Sequence, residues 1–121
     1  MTTFTEFSNQ ITQHFIQETY GEGLALATQA LAEYPEELPT LNYWRMCFAA
    51  RLQDPAAANQ ILDNTLADGV WYSEMILRQS PSLAEMQGDD TFERLVDVSM
   101  KMQASDGTAQ LPILVTRPEN A

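Results

Sequence analysis

ETYGEGLALATQALAEYP, residues 18–35, is the stretch that decides how this chain is read. Leu24, Ala27, Ala30 and Leu31 recur at helical spacing, so one apolar face runs along a helix from Tyr20 to Glu33. Pro35 and the acidic pair after it stop that helix. Gly23, three residues after Tyr20, leaves room for a second helix to cross closely. Such a face is not buried by its own helix. It has to stack on neighbours, and this stretch therefore predicts one member of a helix hairpin in an all-α chain.

Working outward, Phe4, Phe7, Ile11 and Phe15 step by three or four residues and predict a helix from about Phe4 to Glu18. Downstream, Leu41–Leu52, LNYWRMCFAARL, is apolar nearly all round, as expected of a helix buried on several sides. Asp54 then reads as an N-cap with Pro55 at the first helical position, and that helix runs to about Ala67 before Asp68-Gly69 closes it. A shift of about 35 residues relates the two pairs. It places Ile11 on Met46, Phe15 on Ala50, Gly23 on Ala58, Leu26 on Ile61, Ala27 on Leu62, Leu31 on Leu66 and Ala32 on Ala67. The turn positions Tyr20 and Pro55 fall in register as well.

Beyond Gly69 the period breaks. A short helix is expected over Trp71–Arg78, a turn from Ser80-Pro81 to Gly88, and a last helix from an Asp90 N-cap, with Glu93 at capping-box spacing, to about Gln103. This irregular unit reads as a cap over the apolar edge of the second pair. ASDGTAQ, residues 104–110, reads as a flexible linker. Ile113, Leu114 and Val115 have strand propensity, but the chain offers no second strand to pair with them. The expected organisation is thus a helical domain over residues 1–103, a linker over 104–110 and a short extended tail over 111–121. The tail either docks on the helices or pairs with something outside this chain, the start of a following domain being favoured.

On Tyr20, Gly23, Ala30, Leu31 and Pro35, the stretch Phe4–Ala67 resembles tetratricopeptide (TPR) repeats, although the first helix of each pair lacks the family's Gly/Ala-Tyr pattern. Ala67-Asp68-Gly69, Ser80-Pro81-Ser82-Leu83-Ala84-Glu85-Met86 and Phe92-Glu93-Arg94-Leu95 are similar to the terminal unit that closes many bacterial tetratricopeptide arrays, with serines replacing two aspartates. These resemblances imply a helical-repeat module that binds a protein or peptide. The whole chain also resembles the helical N-terminal region ahead of α/β-hydrolase domains in some bacterial esterase-like proteins, where a segment like Leu111–Glu119 would be the first strand of the hydrolase sheet. That resemblance implies an accessory region whose catalytic domain lies elsewhere, and no Gly-x-Ser-x-Gly elbow is present here.

Charge narrows the partners. Six basic residues stand against seventeen acidic ones, a net charge of −11, so a phosphate backbone would be repelled and nucleic acid is not expected. An acidic surface suits solvent or a basic partner. MTTFTEFSNQ has neither a basic n-region nor an apolar h-region, and no apolar run approaches a membrane span of about 18 residues. Cys47 is the only cysteine, which excludes an intrachain disulfide and fits a reducing cytoplasm.

Candidate chemistry is sparse. His14 and Glu18 share a helix face at i, i+4 spacing but lack the further ligands of a metal site, and read as a surface polar pair. Glu85, Asp89, Asp90 and Glu93 lack the alternating ligands and internal glycine of a calcium loop, and read as charges favouring a helix N-terminus. Cys47, among Tyr43, Trp44, Met46 and Phe48, reads as a small buried hydrophobe, with His14 the only histidine that could act as its base. Met75, Met86, Met100 and Met102 read as core filling. No catalytic, metal or cofactor-binding residue is therefore assigned, and the chain is expected not to be an enzyme. The aromatics Tyr43, Trp44, Phe48, Trp71 and Tyr72 read mainly as core. If a peptide groove exists, its candidate residues are Tyr43, Trp44 and Arg51.

Overall fold

The computed structural model describes residues 3–106, which are helical with no strand among them. The α-helices are α1 (Phe4–Ile16), α2 (Tyr20–Glu33), α3 (Leu38–Arg51), α4 (Pro55–Ala67), α5 (Glu74–Gln79) and α6 (Asp90–Asp106). Two 3-10 segments, Pro35–Glu37 and Pro81–Met86, precede α3 and follow α5. The tail at 111–121, with the strand expected there, lies outside the described residues, as does the linker from residue 107. Residues 104–106, expected in that linker, instead continue α6.

The two helix hairpins share one turn. Glu18 and Gln53 both stand in the left-handed region at φ 59°. At the first turn, Glu18 N donates to Phe15 O at 3.3 Å and Thr19 N to His14 O at 2.9 Å. At the second, Gln53 N donates to Ala50 O at 3.0 Å and Asp54 N to Ala49 O at 3.0 Å. Each is a Schellman closure, which satisfies the last carbonyls of a helix and reverses the chain at once. The same closure ends α4 around Gly69, at φ 86°. Asp54 then caps α4 by accepting from Ala57 N at 3.1 Å. α1 starts one residue after Thr3, whose hydroxyl accepts from Glu6 N at 3.1 Å.

α3 is the centre of the fold and packs against both α2 and α4. Of residues 41–50, every one but Arg45 is buried. The helix begins earlier than expected, at Leu38. Pro39 falls in its first turn, where the missing N–H has no intrahelical partner to lose. Close crossing of α2 and α3 rests on Gly23, which faces the end of the Phe48 ring. That ring is stacked on Phe15 with centroids 4.0 Å apart. A polar strut also threads α2, α3 and α4. Arg45 Nε donates to Thr28 Oγ1 and Arg45 Nη1 to Asn42 Oδ1, both at 2.9 Å. Asn42 Nδ2 in turn donates to Thr65 Oγ1 at 3.0 Å.

The irregular unit differs in two places from its sequence reading. Trp71 and Tyr72 precede α5 in a non-helical link, and both are fully buried. Ser73 caps α5 by accepting from Ile76 N at 3.3 Å, so the helix starts only after the aromatic pair. The backbone of Tyr72 bonds to one side chain of α6: its N–H donates to Ser99 Oγ at 2.9 Å, and Ser99 Oγ donates to Tyr72 O at 2.7 Å. The N-cap of α6 is Asp89, one residue before the expected Asp90. Its Oδ2 accepts from Phe92 N at 3.0 Å. Glu93 reaches back to Gly88 N at 2.9 Å, as a capping carboxylate does, and holds Arg78 in a bidentate pair at 2.6 and 2.7 Å. The Arg78 guanidinium, with the Gly88 N–H, pulls the Glu93 carboxyl down to about 2.

Candidate functional site

The structure separates the three residues expected to contact a partner. Tyr43 is fully buried, and its hydroxyl pairs with Ser80 Oγ. Trp44 is buried beside Phe4 and Phe7, stacked on Phe4 with centroids 5.9 Å apart. Both rings are core, so neither offers a surface. Aromatic spacing on a helix that is apolar all round does not distinguish core from groove; neighbouring helices do. Phe48, Trp71 and Tyr72 are buried as well. Burial pushes the Tyr72 phenol well above its ordinary range, and its hydroxyl donates to Pro39 O at 2.7 Å.

Arg51 is exposed at the last turn of α3, and Arg51 Nε donates to Ser82 Oγ at 2.9 Å. It lines a groove of about 320 Å³ where three connections meet. Glu18 and Tyr20 come from the first hairpin turn, Ala50 and Gln53 from the second, and Pro81, Ser82 and Glu85 from the 3-10 segment. Residues of the two hairpin turns meet at this one place. Two carboxylates, Glu18 and Glu85, border the groove with Arg51 as its cation. Ile16 and Leu52, flanking the two turns in sequence, are 58% and 45% exposed, high for large apolar side chains. Sequence reading found Arg51 but not its company. Tyr20 was visible only as a repeat position and Ser82 only as part of a turn, because 31 residues separate Ser82 from Arg51.

The other polar candidates have local partners. His14 Nδ1 pairs with Thr19 Oγ1 at 2.6 Å, bracing the first turn. Asp89 is held below the usual carboxylate range by the Phe92 N–H and then by Asn59 Nδ2. Cys47 is fully buried. Met86 is buried, Met100 and Met102 are half-buried, and Met75 is 42% exposed, so it does not fill the core as expected. Among the described residues no group of three or more His, Cys, Asp and Glu stands close enough to hold a metal ion, and no helix is long and apolar enough to cross a membrane. No protein family, no curated protein and no solved structure matches this chain.

Proposed function

We propose that this chain is a non-catalytic interaction module of the tetratricopeptide type that takes a basic peptide segment of a partner protein. The observation that carries this reading is the recurrence of one hairpin turn, with left-handed residues at Glu18 and Gln53 and paired Schellman bonds. Burial recurs with it: Ile11 and Met46, Phe15 and Ala50, Gly23 and Ala58, and Ala27 and Leu62 are all buried. Repeated hairpins stacked on nearest neighbours form extended surfaces suited to peptides. Charge selects the partner. The groove is bordered by Glu18 and Glu85, and the chain carries a net charge of −11.

Selection of displayed random peptides on the full chain tests this. Enriched sequences should be basic, bind with Kd on the order of 1–100 μM and weaken as salt rises. Reversing both Glu18 and Glu85 to Lys should weaken them about tenfold, a change of about 1.4 kcal/mol. Enrichment of neutral or acidic sequences, or affinity indifferent to the reversal, refutes the reading.

A further inference from the structure

A concavity of about 420 Å³ lies along the last turns of α6, lined among the described residues by Val98, Lys101, Met102 and Ser105. It shares no lining residue with the groove of Arg51. Its positions follow helical spacing and form one stripe. Val98 and Met102 are half-buried: each rests partly on the core and partly lines the concavity. Lys101 Nζ is tied to Asp97 Oδ2 at 3.0 Å, so Lys101 lends the stripe its methylene stem. Because α6 continues to Asp106, past its expected end, the stripe reaches Ser105 and stops just before residues 107–110. Helices of a stacked array bury their apolar faces on neighbours, and a stripe left on the last helix calls for a cover.

Size and tether decide what that cover is. A few side chains on one helix offer far less than the about 800 Å² per partner of a stable interface, so this stripe alone holds neither a second copy nor a free protein. A segment of the same chain needs less, because a short tether raises its effective concentration to the millimolar range. The chain carries such a segment: Leu111, Ile113, Leu114 and Val115 are apolar. Residues 107–110 precede it and span up to about 14 Å when extended. Measured back from Asp106 along the helix axis, Met102 lies at about 6 Å and Val98 at about 12 Å, from a rise of about 1.5 Å per residue. Both are within reach of that tether. We propose that residues 111–115, which lie outside the described residues, turn back along α6 and cover the stripe, with Ile113, Leu114 and Val115 packed on Met102 and Val98. A segment laid on a helix can keep its N–H and C=O groups in water, so it needs no second strand. The tail's apolar side chains are then taken by its own helices and not by a following domain.

Nuclear magnetic resonance of the methyl-labelled full chain, at dilution, tests the proposal. Nuclear Overhauser effects should join the Met102 or Val98 methyls to those of Ile113, Leu114 or Val115, and a mixture of labelled and unlabelled chain should show none of them between copies. Combining Ile113→Ser with Leu114→Ser, both outside the helical domain, should abolish these effects and leave the helical circular dichroism unchanged. In that variant, peroxide should oxidise Met102 about threefold faster or more, since oxidation follows exposure. Met75, already 42% exposed on α5, should keep its rate and serves as the internal reference. The proposal fails if no effect joins the tail to α6, if the effects appear only between copies, or if Met102 is oxidised equally fast in variant and parent.

Discussion

A single methyl group at Gly23 probes the crossing of α2 and α3. A Cβ built there would stand 2.5 Å from Phe48 Cε1, 2.9 Å from its Cε2 and closer still to its Cζ. The ring has little room to retreat, because it is fully buried and already stacked on Phe15 at 4.0 Å. Forcing a methyl into such a contact costs about 1–3 kcal/mol. Alanine also gains about 0.5–1 kcal/mol over glycine in a helix, so the bare ΔΔG of Gly23→Ala mixes two opposing effects. Gly21 separates them. It lies two residues earlier in α2, is exposed, and would place its Cβ with nothing within 4 Å. Gly21→Ala is expected to match or exceed the parent in stability, and Gly23→Ala to fall about 1–3 kcal/mol below Gly21→Ala. Chemical denaturation followed by circular dichroism reads both, and 1 kcal/mol moves the melting temperature of a domain near this size by roughly 4–8 °C. In a Phe48→Leu background the gap should shrink, since the two sites share one contact. If Gly23→Ala equals or surpasses Gly21→Ala, the close approach of α2 and α3 is refuted.

Further expectations concern the turns, the cap and the link. Gln53→Gly and Glu18→Gly should each stabilise by about 0.5–1 kcal/mol, because both positions are exposed and left-handed; destabilisation in urea melts would contradict the Schellman geometry. Glu93 titrates near 2 when folded against an ordinary value of 4.5, so the folded state favours its charged form. Its contribution is fully present above about pH 5 and is lost as pH falls through 4 towards 2, and Glu93→Gln should flatten the acid limb of a stability–pH profile. Ser99→Ala strips both hydrogen bonds from the buried Tyr72 backbone and should cost about 1–3 kcal/mol; a loss below about 0.5 kcal/mol would mean that another partner replaces the hydroxyl.

What the sequence determined by itself is the local part of the fold. Apolar steps at Phe7, Ile11 and Phe15 mark the buried stripe of α1, and Tyr20–Glu33 is α2 as read. Asp54-Pro55 and Asp68-Gly69 bracket α4 because caps and left-handed closures act within a few residues of themselves. The offset of about 35 residues was legible for the same reason: each hairpin repeats its own local signals. Tertiary structure alone decided the rest. α3 is apolar on all sides, so nothing along it says which side chain meets solvent; Phe4 and Phe7 of α1 cover Trp44, Tyr72 and Ser80 cover Tyr43, and Arg51 is left out. The aromatic pair Trp71-Tyr72 has helical neighbours in sequence, yet it lies outside any helix, with the Tyr72 backbone bonded to Ser99, 27 residues away. Asn59 reads as an ordinary polar helix residue until Asp89, 30 residues on, takes its amide nitrogen and leaves its oxygen facing inward without a partner. Hydrogen bonds and contacts between distant residues leave no periodic trace in a sequence, and in this chain they assemble the groove around Arg51.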